Sequence, residues 1–190
     1  MLFRSQSHAL GTGEDDFALL QVDQALNGQT LPTSFPFVQP DTREAVAFEG
    51  DTVLVASYPA GFIGAITAQN GLSQVTTIAK IQKLMTFDTG TVDVLDVGGV
   101  VVAQAGSSGG GVVNQWNRLV GLLVTSSTGE TTMDRSLRAD TLAHIDRSLY
   151  LNSGMHLQEF LEGDLAVRRE TFVRSVFPAL KKTILTAAGL

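Results

Sequence analysis

Over most of the chain, short apolar runs alternate with glycine-rich or polar turns, and the pattern changes near residue 140. The runs Thr52–Ser57, Ile63–Ala68, Gln74–Phe87, Val92–Val97, Gly99–Ala103, Val112–Val113 and Arg118–Ser126 are strand-length. Turn signals separate them, among them Tyr58-Pro59-Ala60-Gly61, Gln69-Asn70-Gly71, Asp88-Thr89-Gly90 and Gly98-Gly99, while Asn114-Gln115-Trp116-Asn117 reads as a polar hairpin turn. Many short strands without intervening helices predict an all-β barrel or sandwich and argue against a parallel sheet. No internal repeat of solenoid period is present.

The flanks read differently. Phe17–Val22 is a strand-length apolar segment behind an acidic turn. Residues 23–44 hold Asn27-Gly28, Pro32, Pro36 and Pro40 among polar residues, the composition of a linker. Beyond Asp140, Leu142, Ile145 and Leu149 take helical spacing, with Asp140 or Thr141 placed to cap the helix. Leu157, Phe160, Leu161, Leu165, Phe172, Val173, Val176, Phe177, Leu180 and Ile184 continue the helical pattern, interrupted by Gly163 and Pro178. Pro178 either kinks this tail or opens a last short helix at its first turn. The tail's apolar stripe is expected to pack on the barrel, with docking to a partner or a membrane surface as the other use.

Composition narrows the function classes. The chain of 190 residues suffices for one core-bearing domain, and 44% hydrophobic against 17% charged residues excludes a disordered chain. A formal charge of −6 without a basic cluster argues against a nucleic-acid partner. With no cysteine and with His8, His144 and His156 far apart, no metal and no cofactor is expected. No apolar run reaches the ~20 residues of a bilayer span, and no signal peptide is recognisable. Met1-Leu2-Phe3-Arg4-Ser5 reads as a non-native leader of an incomplete reading frame, so residues 1–5 are left out of the fold prediction.

The candidate chemistry lies in Ala105-Gly106-Ser107-Ser108-Gly109-Gly110-Gly111. A phosphate loop would need a helix and usually a lysine after the glycines, whereas a hairpin follows here. A plain structural turn is the other simple reading. However, Gly106-Ser107-Ser108-Gly109-Gly110, followed by a hairpin ending Leu119-Val120-Gly121-Leu122, resembles the nucleophile loop of chymotrypsin-like serine proteases, especially their bacterial, cysteine-free branch. An exposed serine on a sharp turn with small neighbours lets a carbonyl and two backbone N–H groups come close. The resemblance implies Ser108 as nucleophile and the amides of Gly106 and Ser108 as the oxyanion hole. Asp16-Phe17-Ala18-Leu19-Leu20 is similar to the family segment whose aspartate orients the catalytic histidine, and it lies 92 residues before Ser108.

The resemblance covers residues 12–150. It implies the six-stranded C-terminal barrel of a double-barrel, chymotrypsin-like fold at 45–140, the last strand of the first barrel within 6–22, an inter-barrel linker at 23–44 and helices at 141–190. No histidine matches: His8 is too close to Asp16, and His144 and His156 are expected to be surface or packing residues. The expectation is therefore a serine endopeptidase fragment whose upstream barrel is cut off, inactive as it stands. Val102 would floor the specificity pocket, and Leu123, Val124, Thr125 and Ser126 would form the strand edge that pairs with an extended peptide substrate. Ser107 replaces the aspartate that, in digestive-type members, pairs with a freshly cut N-terminus. The resemblance suggests export from the cytoplasm and leaves membrane association and oligomeric state open. A non-catalytic peptide-binding module using the same edge is the alternative, and an oligomerisation or docking role for the tail is a third.

Overall fold

The computed structural model describes residues 14–22, 24–25, 28–59, 73–87, 90–99, 106–126 and 136–189. The expected strands Ile63–Ala68 and Gly99–Ala103 lie largely outside them. The chain divides into two units, one ending at Ile145 and one running from Asp146 to the C-terminal end.

The first unit is a mostly antiparallel sheet of eight strands curled into a half-barrel. They are β1 (Gln39–Pro40), β2 (Thr52–Ser57), β3 (Val75–Lys80), β4 (Lys83–Met85), β5 (Val94–Asp96), β6 (Gly111–Asn114), β7 (Arg118–Ser126) and β8 (Leu137–Thr141). Neighbours run in the order β3-β2-β6-β7-β8-β5-β4, with β1 added parallel to β7. Alternation sets the inner face. Val53 and Val55 of β2 and Leu137 and Ala139 of β8 point into a core shared with Ile81, Leu95, Val112, Val120 and Leu123.

Three segments differ from the sequence reading. Gln74–Phe87 is two strands, because β3 pairs with β2 whereas β4 pairs with β5. At the corner the Ile81 amide donates to the Asp51 carbonyl and the Gln82 amide to the Asp96 carbonyl, and the buried Ile81 side chain anchors the change of partner. Phe17–Val22 forms no strand among the described residues. Ladder hydrogen bonds need a neighbour, and this segment has none there, so Leu20 and Val22 stay exposed. The linker is not wholly irregular either, since β1 lies inside it and the Asp41 amide extends that pairing to the Leu119 carbonyl. Asp41 is buried and takes a forked ion pair from Arg43, which holds its carboxyl below the usual range despite burial.

Helix α1 (Leu142–Ser153) follows β8 without a loop. Of the two candidate caps, Thr141 is the one used: its Oγ1 accepts from the His144 amide at 3.0 Å and donates to the Val92 carbonyl at 2.9 Å. Thr141→Ala is expected to cost about 1–2 kcal/mol in a urea titration, through loss of the cap and of the buried bond to Val92. Leu142, Ile145 and Leu149 are buried, as their spacing predicts.

The tail continues with α2 (Leu157–Glu162), α3 (Leu165–Thr171), a π-helical turn (Phe172–Val176) and α4 (Phe177–Ala187). Pro178 falls in the first turn of α4, one of the two positions foreseen for it. Having no N–H, it cannot continue the ladder; the Phe177 amide instead reaches the Phe172 carbonyl, the wider hydrogen bond of a π turn. Burial of the whole stripe is not observed. Of its residues only Leu157 is buried, and α3, the π turn and α4 bury none.

Candidate active site

The turn bearing Ser108 is built by two kinds of glycine. Gly109 takes a φ of 81°, a region that disfavours side chains, and lets the chain reverse directly after the serine. Gly110 is pressed against β2, where an added Cβ would lie 2.6 Å from the Ala56 carbonyl oxygen and 2.7 Å from the Ser57 Cβ. The turn closes with the Gly110 amide donating to the Ser107 carbonyl at 3.0 Å. It is stitched to β7 by bonds from the Gly109 amide to the Leu123 carbonyl and from the Leu123 amide to the Gly110 carbonyl, both 2.8 Å.

This geometry sends the two serines in opposite directions. Ser107 is buried at 1% exposure, with its Oγ 3.4 Å from the Ser57 Oγ. Ser108 is exposed, and its Oγ donates to the Val124 carbonyl at 3.2 Å. The amides of Gly106 and Ser108 have no acceptor among the described residues.

Val124 sits at an irregularity of β7. The pairing with β8 slips between Leu123, opposite Ala139, and Thr125, opposite Arg138, so Val124 has no partner in the ladder. On its other side β7 pairs with β6 only as far as Leu122. From Val124 through Ser126 that edge carries no strand among the described residues, and its first carbonyl is the one Ser108 touches. Leu123, expected at this edge, does not contribute to it: its side chain is in the core, and its amide and carbonyl are both bound to the serine turn. Val102 lies outside the described residues.

Asp16 is exposed on the segment after the Glu14–Asp15 turn and lies near enough to Asp140 to act on its charge, as do Asp15, Asp93 and His144. His144 is buried; its Nε2 lies 2.6 Å from the Glu14 carbonyl oxygen and its Nδ1 3.4 Å from Asp93 Oδ1. A carbonyl can only accept, so Nε2 carries the hydrogen in that contact. Asp93 is held in turn by the hydroxyls of Thr86 and Thr91 and by the Phe87 amide. His156, in the other unit, pairs with Asp146 at 2.7 Å and stacks on Tyr150. Neither histidine has the Ser108 hydroxyl among its described partners, and His8 lies outside the described residues.

Sequence reasoning missed Asp140. The sequence places it as a candidate helix cap, yet it lies in β8 with its side chain fully buried, and neither carboxylate oxygen has a hydrogen-bond partner among the described residues. Burial pushes its pKa up to about 7; the nearby His144 pulls it down, while Asp16, Asp93 and Asp15 push it further up. The available signal was an acidic residue at a ladder position of a short strand. Among the described residues no cluster of His, Asp and Glu could hold a metal ion.

Two solved peptidases are similar to this chain. A Glu endopeptidase is 14% identical with a TM-score of 0.40, over 60% of this chain and 47% of its own. Kallikrein-related peptidase 10 is 18% identical with a TM-score of 0.40, over 66% of this chain and 60% of its own. The chain thus spans about half to three-fifths of their length. No family model matches the sequence, and no curated protein does.

Proposed function

We propose that this chain carries the nucleophile-bearing half-barrel of a serine endopeptidase. Ser108 is the nucleophile, the amides of Gly106 and Ser108 receive the oxyanion, and the β7 edge from Val124 to Ser126 aligns an extended peptide, with Val102 at the specificity pocket. Asp16 is the acid that orients a catalytic histidine. The observation that supports the reading is the Ser108 turn: an exposed hydroxyl touches the Val124 carbonyl of β7, and the amides of Gly106 and Ser108 have no acceptor among the described residues. Such an arrangement stabilises negative charge as it develops on a carbonyl oxygen.

No described histidine takes the Ser108 proton, and a hydroxyl that donates to a carbonyl keeps its hydrogen. The chain by itself is therefore expected to be a slow acyl acceptor, retaining only the ~10³–10⁴-fold over water that oxyanion binding and positioning supply without the full triad. Incubation with a fluorophosphonate and intact-mass detection is the test. Labelling should stay far below one mole per mole over hours, and whatever forms should disappear in Ser108→Ala. Rapid stoichiometric labelling would show that a base is already in place, and label that survives Ser108→Ala would remove Ser108 as the nucleophile.

The contact between Ser108 and Val124 also favours a second reading, a non-catalytic module that binds extended peptides along the same edge. Under that reading, peptides would perturb the amide resonances of Val124, Thr125 and Ser126 without being cleaved, even with a histidine-bearing segment supplied.

A further inference from the structure

We propose that the helical tail, residues 164–189, docks on an anionic lipid surface. Much of its apolar surface is uncovered by the described residues: Val167, Val173, Phe177 and Ile184 are each about half exposed. The helices supply no buried residue that would tie this stripe to a core. In α4, Phe177, Leu180 and Ile184 recur at spacings of three and four and so share one face.

Charge identifies the occupant. Residues 164–190 carry five basic side chains against two acidic ones, a formal +3, whereas residues 1–163 carry −9. A positive segment on an otherwise acidic chain is the part drawn to anionic headgroups, and its apolar face is the part that enters the acyl boundary. Arg174 is paired with Glu170, and Arg168 is occupied by Glu159, Met155 and the Phe160 ring. Lys181 and Lys182 have no partner among the described residues, and their stems let the ammonium groups reach past the apolar face. Among the described residues no helix is long and apolar enough to cross a membrane, so the contact is one of lying on the surface. A coiled coil with a second copy fits less well, because the π turn at Phe172–Val176 and Pro178 break the regular repeat such a seam requires.

The test is co-sedimentation of the full chain with phosphatidylcholine vesicles, with and without about one-third phosphatidylserine, across a salt series. The expected result is binding to the anionic vesicles that weakens as salt rises. Each Lys or Arg near such a surface is worth about a fivefold partition, so Lys181→Glu with Lys182→Glu should lower binding by roughly 25-fold or more. Phe177→Ser with Ile184→Ser should lower it at least tenfold, by the order of apolar burial such helices gain. Far-UV circular dichroism checks the helices of both variants, and the charge pair alone decides if the apolar pair loses helicity. Equal binding to neutral vesicles, no binding, or unchanged binding by a charge pair that keeps its helices would overturn the proposal. So would a lipid-free dimer, seen by sedimentation velocity, that the apolar substitutions dissociate, since the face would then belong to a second copy.

Discussion

Asp140→Asn is expected to stabilise the protein by about 2–4 kcal/mol at pH 8 and to change little at pH 4. The carboxyl is fully buried without a hydrogen-bond partner among the described residues, and its pKa is raised from 3.8 to about 7. Between those values the folded protein retains a proton that the unfolded chain has released. The Asp140 contribution to stability therefore falls as pH rises from about 4 to about 7 and levels off above. A shift of about three units corresponds to ~4 kcal/mol, and the buried amide of the variant, itself unsatisfied, reduces the recovered part. Urea titrations of both proteins between pH 4 and 8 measure it. The difference should grow through that window, and an equal gain at both ends would mean that no buried ionisation is involved.

Gly110→Ala is expected to cost about 3 kcal/mol or more and to displace the nucleophile turn. The new methyl would meet the Ala56 carbonyl oxygen at 2.6 Å, the Ser57 Cβ at 2.7 Å and the Leu123 Cδ1 at 2.9 Å. Two of these atoms belong to β2, which is fixed by ladders to β3 and β6, and the third lies in the core, so none withdraws cheaply. Gly109→Ala is the control. A methyl there meets nothing within 4 Å, and only the positive φ opposes it, at about 1–2 kcal/mol. Unfolding midpoints of the two variants separate crowding from backbone strain. Comparable losses would show that the turn gives way instead of clashing.

These two positions mark where local pattern stops being informative. Thr52–Ser57 and Arg118–Ser126 were legible to the residue, because alternation or a long apolar run between turn residues fixes both period and ends. The hairpin Asn114-Gln115-Trp116-Asn117 was legible as well. Asn114 Oδ1 accepts from the amides of Trp116 and Arg118, and Asn117 takes the left-handed conformation, both local properties of asparagine. Glycines and serines at 106–110 announced a tight turn, and helical spacing announced α1. Phe17–Val22 failed for the converse reason: an apolar strand pattern forms a strand only where a neighbouring ladder exists.

The sequence by itself determined the β character, the position of the serine turn and the change to helix after residue 140, since each follows from interactions among residues close along the chain. Only the tertiary structure decided that Gln74–Phe87 divides between two partners, that Ser107 turns inward while Ser108 meets the Val124 carbonyl, and that His144 is spent on Glu14 and Asp93. It also decided that Asp140, which its neighbours in sequence mark as a helix cap, is a buried acid without a hydrogen-bond partner among the described residues. Burial and ionisation depend on what the rest of the chain places around a group, and that arrangement is written in contacts between residues far apart.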